Sequence, residues 1–114
     1  MKRSSLAGVF AVLLLGACAS VPPGDEPRGM TFREPANKVL AALEQFKQER
    51  GRYPNSLYEL TPKFIEKLPD EPSLRLDEYS GTLRFAYSRD FPDIGRVVCV
   101  VVLGSTEWKC EDYK

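Results

Sequence analysis

The chain contains no histidine, one tryptophan and three cysteines among its 114 residues. The absence of histidine removes the commonest general base and the commonest metal ligand. No serine or lysine stands in a recognisable arrangement with an activating base. Adjacent carboxylates such as Asp70 and Glu71 are expected to be solvated, because neighbouring side chains in a strand or turn point apart. The sequence therefore predicts a protein that is not an enzyme and has no catalytic residues, no cofactor and no metal site.

The chain also lacks basic runs and a long apolar segment. Its 16 Lys and Arg residues balance 16 Asp and Glu residues. Nucleic-acid affinity comes largely from clustered cations that neutralise phosphates, so no nucleic-acid partner is expected. The apolar run over residues 6–15 is shorter than the roughly 20 residues of a membrane-spanning helix. With Lys2 and Arg3 before it and small residues after it, this run predicts a signal peptide over residues 1–17.

Residues 15–18, Leu-Gly-Ala-Cys, resemble the bacterial lipobox, in which cleavage precedes an obligatory cysteine. The resemblance implies that Cys18 becomes an acylated N-terminus and that its acyl chains anchor the protein stably in a lipid bilayer. Ala19, where an aspartate would favour the inner membrane, favours the outer membrane with the domain facing the periplasm. The alternative is an ordinary secretory signal with an incidental cysteine.

Residues 18–33 are predicted to be the lipidated N-terminus and a tether. The segment contains three prolines and two glycines and has little apolar content. Prolines favour extended backbone at roughly 3 Å per residue, so we expect the tether to hold the domain some tens of ångströms from the membrane. Without residues 1–17 the chain has two more acidic than basic residues, because Lys2 and Arg3 are removed.

Residues 34–114 are predicted to form one α+β domain, with an N-terminal amphipathic helix packed on an antiparallel sheet of about four strands. Thr31 and Glu34 can form a capping box, with Pro35 in the first turn. Gly51 can end the helix as a left-handed cap. The apolar positions at helical spacing are Ala36, Val39, Leu40, Leu43 and Phe46. Ser56 and Glu59 predict a second, short helical piece in an ordered connector.

Alternating side chains and turn residues predict strands over residues 73–77, 82–88, 96–103 and 106–112. A two-residue turn at Gly104 and Ser105 places Cys99 opposite Cys110. In that register the Cα atoms are expected to lie about 5.5 Å apart, within the range of a disulfide. The alternative, a redox pair, usually needs close Cys-x-x-Cys spacing at a helix start. The sequence therefore predicts a structural disulfide in the C-terminal hairpin.

Three stretches carry a resemblance to the globular domain of type IV pilins and type II secretion pseudopilins. They are residues 42–46 (Ala-Leu-Glu-Gln-Phe), residues 51–65 (from Gly-Arg-Tyr-Pro to Phe-Ile) and residues 68–72 (Leu-Pro-Asp-Glu-Pro). The resemblance implies a pilin-like domain with an envelope protein as partner, accessory to a secretion or pilus system. The pilin leader and its long apolar helix are missing, and Leu13 stands where the family has glutamate. Assembly into a filament is therefore not implied.

One loop suggests an alternative function. Asp90 and Asp93 lie in the segment that ends at Gly95, and pseudopilins can hold calcium in such a loop. Calcium takes six to eight oxygens, whereas this loop offers two carboxylates plus backbone, so a turn shaped by Pro92 and Gly95 is the simpler interpretation. The alternative function is thus a small ligand- or calcium-binding lipoprotein module. Candidate contact residues for the interaction function are the aromatic residues Tyr58, Tyr79 and Phe91.

Overall fold

A computed structural model describes residues 21–89 and 95–113 of the chain. The elements in chain order are helix α1 (Pro27–Arg50), a 3₁₀ helix (Leu57–Leu60) and strands β1 (Leu74–Asp77), β2 (Thr82–Ser88), β3 (Arg96–Val102) and β4 (Lys109–Tyr113). The four strands pair antiparallel in the order of the sequence. Helix α1 packs on one side of this sheet, so the predicted α+β fold class is confirmed.

The side of the sheet that contacts α1 forms the core. Every second side chain of β2 and β3 is buried, as expected for strands with one covered face. We call this side the inner face: Leu83, Phe85, Tyr87, Val97, Cys99 and Val101. The buried positions of α1 include the predicted stripe Ala36, Val39, Leu40, Leu43 and Phe46. The helical spacing of these apolar residues therefore identified the face that is buried.

No described residue covers the opposite side of the sheet. We call it the outer face: Arg75, Asp77, Thr82, Arg84, Ala86, Ser88, Arg96, Val98, Val100, Val102, Lys109, Glu111 and Tyr113. Among the described residues, neither α1 nor the connector packs over it, because both belong to the inner core. Val98 and Val100 are half-buried, and Val102 is 59% exposed. Strand β3 therefore has apolar side chains on both faces, and described residues cover one of these faces.

The end of α1 and the connector follow their local sequence signals. Gly51 has a φ of 77°, and its N–H donates to the Lys47 carbonyl at 2.8 Å. A residue with a Cβ rarely adopts this left-handed conformation, which confirms the predicted cap. Ser56 and Glu59 form the predicted capping box at the 3₁₀ helix, and Leu60 is buried in the core. The connector is thus part of the packed domain.

The start of α1 differs from the prediction. The helix begins at Pro27, not near Thr31, so residues 27–33 belong to the helix and not to the tether. Pro35 lies inside the helix, and the hydroxyl of Thr31 donates to the Pro27 carbonyl instead of capping. Proline inside a helix removes a backbone hydrogen bond and costs about 3 kcal/mol. Tertiary contacts offset this cost, since Phe32 packs 5.3 Å from the ring of Tyr87.

The C-terminal hairpin has the predicted register but a longer loop. Cys99 pairs with Cys110, and a disulfide joins them, as predicted. The paired region ends at Val100 and Lys109, so the expected two-residue turn is not the whole connection. The Cα atoms of the two cysteines lie 4.0 Å apart, nearer to the spacing of a non-hydrogen-bonded pair than to the expected 5.5 Å.

Trp108 in this loop connects the hairpin to the helix. Its indole Nε1 donates to the Asn37 side chain at 2.7 Å, and its ring lies 5.1 Å from that of Phe85. The hydrogen bond to α1 was not predicted, and it leaves the loop residues attached to the helix instead of paired in the sheet.

Candidate functional site

The segment before α1 is fixed to the end of the sheet where β2 ends. The Glu26 carboxylate accepts a hydrogen bond from the Tyr87 hydroxyl at 2.5 Å and one from the Arg89 guanidinium at 3.3 Å. Arg28 Nε donates to the Ser88 carbonyl at 2.7 Å. Burial, and then the bond to Glu26, raise the pKa of Tyr87 well above its ordinary value, so this hydroxyl remains a donor. We call this set of contacts the N-terminal clamp.

Two glycines allow the N-terminal clamp to pack closely. A Cβ at Gly29 would lie 2.5 Å from the Tyr87 hydroxyl and would clash with it. A Cβ at Gly24 would meet the sulfur of Cys110, and Gly24 has a φ of 87°. Arg33 donates to the Gly24 carbonyl at 2.8 Å and lies 3.6 Å from that sulfur. The segment from residue 24 onward is therefore part of the domain, although its composition predicted a tether.

The outer face carries cations in register. Arg75 and Arg84 are direct cross-strand partners, and Arg84 pairs in turn with Val100. Val100 pairs with Lys109 on the other side. Three of the four positions across the sheet at this level are thus cationic and exposed. Like charges directly opposite one another in a sheet are destabilising, so this row costs stability in the isolated domain.

A depression lies beside this row. Its volume is about 660 Å³, and its floor includes Ala86 and Val98, which pair with each other between β2 and β3. Its rim includes Arg75, Arg84 and Arg96. Arg96 lies four residues before Val100 in β3, so it is displaced by about 13 Å along the strand from the level of Arg84. The depression is therefore an apolar patch with cations at two ends.

None of the three rim arginines forms an ion pair or a side-chain hydrogen bond with a described residue. The ion pairs that the structure shows lie elsewhere in the fold, between Arg33 and Asp25, Arg52 and Glu59, Lys63 and Glu49, and Arg89 and both Glu26 and Asp112. The described hydrogen bonds likewise leave Arg75, Arg84 and Arg96 unbonded. All three side chains are exposed, and within residues 21–89 and 95–113 no acceptor is bonded to their guanidinium groups.

Two carboxylates also lie on the outer face, and both have local partners. Asp77 accepts hydrogen bonds from the backbone N–H groups of Tyr79 and Ser80 at 3.0 and 3.2 Å. The bonds from Ser80, with smaller contributions from Tyr79 and the nearby charge of Arg84, lower the pKa of the Asp77 carboxyl. Glu111 accepts a hydrogen bond from the Tyr113 hydroxyl at 3.3 Å. Four cations against these two anions give the outer face a net positive charge.

The structure describes some of the predicted site residues but not others. The disulfide between Cys99 and Cys110 is present, with Cys99 buried. The lipidation site Cys18, the signal peptide and residues 90–94 of the candidate calcium loop, with Phe91, lie outside the described residues. Within residues 21–89 and 95–113, no group of three or more potential metal-binding side chains occurs.

The predicted contact aromatics are exposed but belong to different parts of the fold. Tyr58 is 78% exposed in the 3₁₀ helix, and Tyr79 is 97% exposed in the turn between β1 and β2. Neither residue lines the depression on the outer face. The sequence alone did not predict the arginine row. Alternation placed Arg84 on the side opposite Leu83 and Phe85, but the pairing partners of β2 could not be read from the chain.

No described helix combines the length and apolar character needed to cross a lipid bilayer. Comparisons of the chain with protein-family models, with curated proteins and with solved structures found no match. The geometry of the outer face and the sequence signals at the N-terminus are thus the basis for assigning a function.

Proposed function

We propose that this protein is an envelope lipoprotein, acylated at Cys18 and held at the outer membrane facing the periplasm. Its domain is a non-enzymatic interaction module, accessory to a secretion or pilus system whose subunits it resembles in residues 42–72. The lipobox-like residues 15–18 support the anchor. The absence of histidine from the whole sequence supports a binding role over a catalytic one.

The observation that carries the interaction role is the outer face, over which no described element packs. A four-stranded sheet covered on one side normally presents polar residues on the other. Here the solvent side of β3 presents Val98, Val100 and Val102, beside arginines that form no ion pair with a described residue. Apolar surface rimmed by unpaired guanidinium groups is typical of a protein contact site, since arginine is enriched there.

The N-terminal clamp limits the distance between this domain and the membrane. Gly24 is the first buried residue of the described chain, and it lies six residues after Cys18. Six residues span at most about 20 Å when fully extended. An acylated Cys18 would therefore hold the domain near the bilayer surface, closer than a flexible tether through residue 33 would. The sheet end at Ser88 would lie on the membrane side.

Photo-crosslinking in intact envelopes tests the interaction role. A photoreactive amino acid replaces Val102 on the outer face in one variant and Gln45, on the exposed side of α1, in a matched control. We expect a discrete protein adduct from position 102, identified by mass spectrometry, and none from position 45. A secretion or pilus subunit in that adduct would support the accessory role. Equal labelling from both positions, or none from position 102, would contradict the interaction role.

The anchor is tested separately by Cys18→Ser. Acyl chains on Cys18 are the predicted source of membrane attachment, and stable attachment needs more than one chain. We expect the variant to move from the membrane fraction to the periplasmic fraction while it keeps its disulfide. Continued membrane attachment of the folded variant would contradict acylation as the anchor.

A further inference from the structure

The cations of the outer face are arranged at two levels along the strands. Arg75, Arg84 and Lys109 lie at one level, across three of the four strands. Arg96 lies about 13 Å further along, in β3. Between the two levels, Ala86 and Val98 form a low apolar floor. A ligand that contacts both levels must therefore place negative charge at two points and an apolar group between them.

An extended peptide segment has this spacing. Its side chains on one side repeat every two residues, so the side chains of residues i and i+4 lie about 13 Å apart, with that of residue i+2 between them. In a helical segment the side chains of residues i and i+4 lie only about 6 Å apart. Such a pair can contact one level of cations but does not reach the second, about 13 Å away. The geometry thus favours an extended segment that runs along the strands of the sheet.

The charge balance favours an acidic segment. The direct pairing of Arg75 with Arg84 places like charges opposite one another, and neither has an ion pair with a described residue. A carboxylate between them would offset this repulsion, and arginine can bind a carboxylate through two parallel hydrogen bonds. Glu111, at the level of the floor, would repel a charge placed there, so the middle position suits an apolar side chain.

We propose that the outer face binds an extended segment of a partner protein that carries two carboxylates four residues apart and an apolar side chain midway between them. This inference rests on the proposed interaction role and names the chemistry of its partner. The depression is open above its floor, so a small anion bound there would remain largely in water. A peptide segment, which contacts both cation levels and the floor, therefore fits better than a small anion. The N-terminal clamp lies at the sheet end, so an anchored domain presents the outer face sideways and not toward the lipid.

The test uses the full chain, purified in an uncharged detergent, and a blocked peptide of sequence Ser-Glu-Ser-Val-Ser-Glu-Ser. A second peptide has glutamine in place of both glutamates. Binding is followed by the NMR shifts of the backbone amides at millimolar peptide. We expect saturable shifts confined to the amides of β1 to β4, and markedly weaker binding of the glutamine peptide, because its amides cannot form ion pairs with arginine.

Two variants with the same charge change provide the control. Arg84→Gln with Arg96→Gln removes one cation from each level, whereas Lys38→Gln with Lys67→Gln removes two exposed cations outside the outer face. Two exposed ion pairs account for about a tenfold change in affinity, so the first variant should bind about tenfold more weakly. The second should bind as the unmodified protein does. Unchanged amide spectra outside the sheet verify that both variants are folded.

Several outcomes would overturn the proposal. They are no saturable shift with the glutamate peptide, equal binding of the glutamine peptide, or equal weakening in both double variants. Phosphatidylglycerol vesicles that produce the same shifts, with the same dependence on Arg84 and Arg96, would assign the outer face to a lipid surface instead. Inorganic phosphate with that effect would assign it to a small anion. An adduct from position 102 without peptide binding would preserve the interaction role and reject this partner chemistry.

Discussion

The two faces of the sheet come from the same strands but have opposite roles. In β3, Val97, Cys99 and Val101 are buried against α1, whereas Val98, Val100 and Val102 lie on the open side. The inner face contributes to stability through burial and a disulfide. The outer face combines apolar area with like charges that face each other, which lowers stability. This difference between the two faces is the basis of the proposed interaction role.

Among the changes that distinguish the two faces, removal of the disulfide on the inner face is expected to lower the free energy of unfolding most. Its cysteines are eleven positions apart, and closing a loop of this size stabilises by about 3 kcal/mol through the lost entropy of the unfolded chain. The double variant with Cys99→Ala and Cys110→Ala should lose about that free energy of unfolding in urea titrations. The reduced, unmodified protein serves as control, because it keeps both sulfur atoms. A loss well below 1 kcal/mol in both would contradict this estimate.

A matched pair of valines compares the faces directly. Val97 is fully buried on the inner face, and Val102 is 59% exposed on the outer face of the same strand. Val97→Ala should lower the free energy of unfolding by about 2 kcal/mol, through lost burial and a residual cavity. Val102→Ala should change it by less than about 0.5 kcal/mol, as is usual for a surface position. Equal losses in chemical denaturation would mean that the outer face is covered in solution.

A substitution in the arginine pair of the outer face is expected to have the smallest effect and to raise the free energy of unfolding. Arg75→Thr removes the like-charge contact with Arg84 and introduces a residue that is favourable in strands. We expect the free energy of unfolding to rise by about 0.2–1 kcal/mol, measured by urea denaturation at low salt. High salt should reduce the gain, because it screens the repulsion between exposed charges. A loss of stability on this substitution would show that the arginine pair supports the sheet.

Sequence signals that act over a few residues correctly predicted a strand, the end of α1 and the start of the 3₁₀ helix. The bounds of β2 match the alternating stretch at residues 82–88. Gly51 ends α1 through its own left-handed backbone conformation, and Ser56 caps the 3₁₀ helix through its side chain. Both signals act within a few residues, so the sequence predicted them. The register of the hairpin was also predicted, because a turn at Gly104 and Ser105 places the two cysteines opposite each other, where a disulfide can form.

The first residue of α1 could not be predicted from the local sequence, because the contacts that fix it involve residues far along the chain. Proline and glycine before residue 34 predicted a tether, and Thr31 with Glu34 predicted the first turn. In the structure, Glu26 and Arg28 contact residues about sixty positions away, at Tyr87 and Ser88. These contacts fix the early turns of the helix and outweigh the local preference of Pro35, since propensity is a weak constraint beside tertiary packing.

The sequence by itself determined the apolar stripe of the helix, the two-residue alternation of the strands and the cysteine pair, because these depend on periodicity and short separations. The tertiary structure decided which face α1 covers, and it aligned Arg75 with Arg84 across β1 and β2. It also placed Arg96 on the same side through the pairing of β2 with β3. The connection between these two strands, residues 89–95, is too long for turn geometry to fix their register, so only the packed fold brings the arginines together.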